Sequence, residues 1–470
     1  MKKTSLIFLS TLCAFAANAA VEIAGGTNND NRPVLSNLAN GQDVVLLPNE
    51  TTPADSSRFK MKANANAENP VFKSIATKPS AEGPKDWILA FGATIDSNSS
   101  DSEYAFNNTG KMSWYLSTAG MFNIRNSAAD AGVSKLEMGT ITIQGDPNSA
   151  SGAGVLVETD ALFTGTSALF KGTNDNTSGG VVMSIGANNT TIVNVNYNVA
   201  KTTFSQKSGL HVGTGSTFTS GKTSTFNFSE ASTTLSVGGT FNYGNTATGL
   251  DMSGYATIWA KGTMVLDSAL KIQRGGVVEI KSGRDEFSSG AAIRKGTAEG
   301  GNGRIVLSGG MLMIGSKDAI ATDIGLYAGT DSSISISADN SFKYVFFNLN
   351  THLSLILENS AKASFRGIGI FNQDGKTAYA NMTIEGFAAD SVFFDSNYWW
   401  DTAQITATDT DNNVYQKDQL ELVAVGEEFA KYGKIRSERK ADSRTRHIRG
   451  SLRRDGVGSG GIPQTQITWV

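Results

Sequence analysis

One thiol, three imidazoles and eight prolines are all that 470 residues supply of those groups, and each shortage closes off a kind of chemistry. The thiol is Cys13, inside an N-terminal segment with the pattern of an export signal. With that segment removed, neither a disulfide framework nor a thiolate metal site is expected. His211, His352 and His447 are widely separated and lack metal-ligand spacing. We read the first two as turn or strand-face residues. Charge is also scarce, at 18% of residues. No later run is apolar for long enough to make a transmembrane helix. There is no nucleophile elbow, and no Gly-rich stretch in the strand-to-helix setting of a phosphate loop. No cofactor or metal is therefore expected.

The export reading rests on Lys2 and Lys3, the apolar stretch Leu6 to Phe15, and Ala17-Asn18-Ala19 as an A-x-A site cut before Ala20. Cleavage is thus assigned to Ala17, Ala19 and Ala20. The net charge of −3 hides an asymmetry. Nine Lys or Arg and two acidic residues lie between Lys434 and Arg454. Setting these and the two signal lysines aside leaves 29 basic against 41 acidic side chains, from totals of 40 and 43. Such an acidic body argues against nucleic acid, whose phosphates need a positive surface.

What the chain does have is glycine, 51 residues of it, among short runs that alternate apolar with small polar residues. Val193, Val195, Tyr197 and Val199 alternate with Asn194, Asn196 and Asn198, the period of a strand with one buried face. Thr140 to Ile143 and Ser333 to Ser337 repeat the device. Ala161-Leu162-Phe163-Thr164-Gly165-Thr166 is echoed by Ala168-Leu169-Phe170-Lys171-Gly172-Thr173. Strands of three to five residues between Gly-bearing turns suit a stacked β-coil, because the turns need positive φ. No strict repeat length emerges. The fold class expected is all-β, an elongated right-handed parallel β-solenoid; a flat array of β-sandwiches is the alternative. The division expected is a signal peptide over 1–19, a polar lead-in and N-terminal cap over 20–110 and the solenoid over 111–400. C-terminal strands or a cap follow over 401–433, then a disordered basic tail over 434–470.

Arg304-Ile305-Val306-Leu307-Ser308-Gly309-Gly310-Met311-Leu312-Met313-Ile314-Gly315 resembles the strand-Gly-Gly-strand repeats of autotransporter-like passenger proteins, right-handed β-helices displayed outside bacterial cells. The tail carries a second resemblance. Back-translation of Ser443 through Asp455 with one choice of synonymous codons, regrouped by one base, yields Pro-Glu-Pro-Ala-Thr-Tyr-Ala-Ala-Leu-Phe-Gly-Ala. An Ala/Leu-rich stretch, a basic end and a stop can then follow from Gly456 to Thr468. That order resembles the PEP-CTERM sorting signal of exported bacterial proteins, which an exosortase recognises. It implies a frameshift between about Glu427 and Ser443, and a chain that fails sorting in its present frame, having no transmembrane anchor.

Solenoids also carry polysaccharide lyases and hydrolases, which gather carboxylates on one face. Arg284, Asp285 and Glu286 cluster, as do Asp409 and Asp411, and we read both groups as solvated turns. Asp409 to Asn413 matches the start of a calcium loop, but Val414 and Leu420 stand where Gly and Glu are needed. Tyr398-Trp399-Trp400 is the conspicuous aromatic cluster. It is read chiefly as a plug on a terminal coil, and otherwise as a carbohydrate contact. The expected function is a non-enzymatic secreted surface, matrix or adhesin-like structural protein. Its expected partners are exopolysaccharide or other envelope components. The alternative is a polysaccharide-active or carbohydrate-binding exoprotein.

Overall fold

The computed structural model describes residues 92–371, apart from 103, 109–110, 117–120, 146–152, 173–179, 187–190, 284–289, 330, 349–350 and 360. It also describes short strand segments before and after that span. The described residues are all-β and form a solenoid. A typical circuit of the chain lays down one strand on each of three faces; the circuit that begins at Met311 keeps only the bridge of Ile320 to Ile293 on the second. Gly209–Val212, Thr217–Ser220 and Thr225–Phe228 make one circuit. Thr234–Val237, Thr240–Tyr243 and Leu250–Met252 make the next. Within residues 92–371 the strands pair in parallel with their counterparts one circuit away, as Leu210 does with Leu235, Phe218 with Phe241 and Phe228 with Met252.

One column of side chains shows why this sequence stacks. On the first face Ile95, Ile124, Val157, Ile185, Val212 and Val237 are successive partners. Ile258, Ile280, Ile314, Ile336 and Leu357 continue the column. All of them are buried. Branched side chains suit this position because each packs on its copy above and below. At about 4.8 Å per circuit the column runs roughly 48 Å along the axis. The chain spends 21 residues from Val237 to Ile258 but 34 from Ile280 to Ile314, so the circuits are not of constant length.

Aromatic rings fill much of the interior between residues 106 and 243. Phe106, Trp114 and Phe122, one from each face, meet edge to face at 4.9 and 4.4 Å. On the third face Phe170, Phe204 and Phe228 stack at 5.0 and 4.6 Å, tilted by 17° and 5°. The two buried tyrosine hydroxyls in this interior find partners. Tyr197 and Thr202 share a hydrogen bond of 2.8 Å, and the Tyr243 hydroxyl donates to the Thr248 carbonyl at 3.0 Å. Burial holds both phenols well above their ordinary pKa; the Asp251 charge adds to this at Tyr243.

At the corners, buried Asn side chains replace missing ladder partners. Asn245 donates to the Ser224 carbonyl at 2.9 Å and accepts from the Ala247 and Thr248 amides at 2.8 Å. Asn340 does the same with the Ser316 carbonyl and the Ala319 amide, so these two corners pair the polar groups they bury, whereas Ser216 Oγ, buried at another corner, has no partner among the described residues.

Two features go beyond the reading of the sequence. The echoed segments at 161 and 168 belong to one coil. Both lie in the strand Ala161–Lys171, which turns from the second face to the third at Gly165, where φ is 152°. Parallel stacking also begins before residue 111. Lys85–Leu89 pairs with Lys111–Leu116 and Gly92–Asp96 with Met121–Arg125. Val71–Thr77 in turn pairs with Gln42–Leu47. Beyond the main span, Gly433–Arg436 pairs in parallel with Val392–Asp395, and Thr465–Trp469 pairs antiparallel with Ala380–Glu385.

Candidate functional site

Most residues singled out from the sequence lie outside the described residues. These are Ala17, Ala19 and Ala20, the Arg284-Asp285-Glu286 cluster, Asp409 and Asp411, His447, and Tyr398, Trp399 and Trp400. His211 is half-buried on the outer side of Gly209–Val212, between Ser184 and Ser236. Burial lowers its pKa, so the imidazole is neutral near pH 7. His352 lies in Thr351–Leu357 on the same face, several circuits away. The two are not brought together. Asn194, Asn196 and Asn198 are exposed on the outer side of the second face.

Seven of the described carboxylates are put to structural use. Asp96 accepts from Arg125 Nε at 2.8 Å and from the Ser127 amide at 2.9 Å. Burial pushes its carboxyl up, but the Ser127 and Arg125 contacts outweigh this and leave the pKa below its ordinary value. Glu137 accepts from the Thr164 hydroxyl at 2.8 Å, and Asp160 from the Asn194 amide at 2.7 Å. Glu230 accepts from the Gln206 amide at 2.7 Å, and Asp267 from the Ala298 amide at 3.0 Å. Asp339 accepts from the Lys362 amide at 2.8 Å, and Glu358 from the Ser335 hydroxyl at 3.0 Å. In each case the donor belongs to the neighbouring circuit, so these acids clamp one coil to the next. Among the described residues no group of three or more His, Cys, Asp or Glu is placed to hold a metal ion.

One surface feature adds exposed aromatic rings to such bonds between circuits. Tyr255 and Trp259 bracket the strand Tyr255–Ile258 on the first face and are 38% and 47% exposed. Their orientation follows from strand phase: Ala256 and Ile258 fill the core, which leaves residues 255, 257 and 259 on the outer side. Thr257, between the rings, is nonetheless buried, so larger side chains close over it. Trp259 Nε1 donates to Ser236 Oγ of the preceding circuit at 2.8 Å. From the following circuit the Lys281 ammonium stands 5.9 Å from the Trp259 ring centroid. Glu279 accepts hydrogen bonds from both the Tyr255 hydroxyl and Lys281. Three circuits thus hold two rings in place around a balanced ion pair. Reading the sequence missed this pair because its members are four positions apart, unlike the contiguous 398–400 cluster. Strand phase was the signal that could have revealed it.

No protein-family model, curated protein or solved structure matches the chain. The class the geometry defines is therefore the fold itself, a three-faced parallel β-solenoid.

Proposed function

We propose that this is a non-enzymatic structural protein, exported to the cell surface or matrix, whose solenoid acts as a stiff, largely polar rod with adhesin-like display. The observation that carries the reading is the use of the carboxylates. A polysaccharide lyase or hydrolase needs acids converging on one groove, whereas Glu137, Asp160, Glu230, Asp267, Asp339 and Glu358 are spread over five joints between coils, with only Asp339 and Glu358 at the same one. Export is supported by the Lys2-Lys3, Leu6–Phe15 and Ala17-Asn18-Ala19 pattern. Sorting by an exosortase in the ancestral protein is supported by the second-frame reading of residues 443–468.

Two measurements test the proposal. Purified full-length protein, incubated with a panel of neutral and uronate-containing polysaccharides, is expected to release no reducing ends and no unsaturated uronates above buffer. Turnover would refute the non-enzymatic reading. Resequencing the genomic DNA across the codons for residues 426–470 is expected to reveal a base change restoring Pro-Glu-Pro, the apolar segment and the basic end. Codons that forbid that frame would end the sorting proposal.

A further inference from the structure

We infer that Tyr255 and Trp259 form a platform for a neutral, extended glycan lying along the first face. The inference deepens the surface-display reading and rests on it for the availability of such a ligand. The site itself is argued from four observations.

First, the rings are displayed in solvent. Large aromatic surface left on the outer side of a strand has a hydration cost, and among the described residues these two are exposed aromatics on alternate outward phases of one face, with Thr257 between them. Second, their positions are fixed before any ligand arrives. The Ser236 hydrogen bond and the Lys281 ammonium set the indole, and Glu279 sets the phenol. A ligand therefore meets a pre-ordered surface, which lowers the entropy cost of binding.

Third, the chemistry around the rings suits a pyranose. A sugar ring offers an apolar C–H face to stack on an aromatic and a rim of hydroxyls that both donate and accept. Here the Glu279 carboxylate, the Lys281 ammonium and the Ser236 and Tyr255 hydroxyls surround the rings with both kinds of group. Glu279 and Lys281 neutralise each other, so the patch does not select a charged ligand. Fourth, its size fits a chain of sugars better than a protein. The four-residue step from 255 to 259 spans about 13 Å at the rise of a β-strand, a length that several linked pyranose rings cover. A stable protein partner needs roughly 800 Å² per side around an apolar centre, which two rings set around a charged pair do not supply.

The test is affinity electrophoresis of the native full-length chain in gels cast with hydroxyethylcellulose, glycol chitin or soluble starch, with an unrelated protein as mobility standard. Retardation by at least one polysaccharide is expected. Trp259→Ala and Tyr255→Ala should each weaken it roughly tenfold or more in apparent Kd, and Trp259→Phe should retain most of it. Far-UV circular dichroism checks that the variants keep the solenoid. A third variant, Ile192→Ala, removes an exposed apolar side chain elsewhere and should leave retardation unchanged. If the wild type migrates freely in every gel, or if the ring variants are retarded as strongly as the wild type, the platform is refuted. Neither result touches the structural-rod reading, whose own failure would appear as polysaccharide turnover.

Discussion

Removing one ring from the third-face stack is expected to be felt locally and strongly. Phe204 has no exposed surface and lies between Phe170 and Phe228, nearly parallel to both. Phe204→Ala deletes the ring and leaves a void, and Phe→Ala changes in cores cost about 3–5 kcal/mol. The upper half of that range is expected here. A void costs less where its walls can collapse, but these walls are strands held in register by ladder bonds, with Lys201–Phe204 paired to Thr225–Phe228 and Ser167–Lys171 to Lys201–Ser205. Thr203, the neighbour on the outer side of the same strand, serves as control, and Thr203→Ala is expected to stay within about 0.5 kcal/mol of wild type. Urea unfolding followed by far-UV circular dichroism measures both. Hydrogen exchange adds position, because a solenoid is stabilised by nearest-neighbour terms and protection should fall most around residues 167–171 and 225–228. A Phe204→Ala cost below about 1 kcal/mol, or a loss of protection spread evenly along the chain, would refute the reasoning.

Two further outcomes are expected. Gly262→Ala should destabilise by about 1–3 kcal/mol, because a Cβ there would overlap the Val237 carbonyl oxygen. Gly275→Ala, with φ of 83° but open space around it, should cost only about 1 kcal/mol of backbone strain; equal melting shifts for the two would contradict this. Tyr197 and Tyr243, both held above the ordinary phenol pKa by burial, should make the fold sensitive to alkali. A group whose folded-state pKa is raised contributes fully below its unfolded value, about 10, and that contribution is lost as pH rises above it. Two phenols should therefore ionise late and together with loss of circular dichroism; ionisation of every tyrosine near pH 10 with the fold intact would exclude the effect.

The architecture was legible wherever inward and outward residues differ sharply. Ile334 and Ile336 between serines, Phe226 and Phe228 around Asn227, and Val195 and Tyr197 between asparagines all point inward as their alternation requires. The three-faced cross-section was not legible, because a strand's partner lies two or three dozen residues away and alternation says nothing of which strand that is. The echo of Ala161–Thr166 in Ala168–Thr173 arises because two faces of one coil bury similar residues. The ring platform stayed hidden because Tyr255 and Trp259 become a pair only when Ala256 and Ile258 are known to face the core.

The uneven circuit length has a physical explanation that also bears on where function can reside. Lengthening a circuit from the 21 residues between Val237 and Ile258 to the 34 between Ile280 and Ile314 adds only about 0.4 kcal/mol of loop-closure entropy on the logarithmic law. Burying one branched aliphatic side chain returns about 1.5–3 kcal/mol, so a single inward residue on the first face outweighs a corner insertion of that size. Register is therefore held by the inward column while the corners are free to drift, which erases any fixed repeat from the sequence. Corners can accept insertions at little cost, but a flat face can present a ligand with groups from several circuits at fixed spacing. The platform follows that second pattern: Ser236, Trp259 and Lys281 belong to three consecutive circuits, and the same column that stacks the core sets the distances between them.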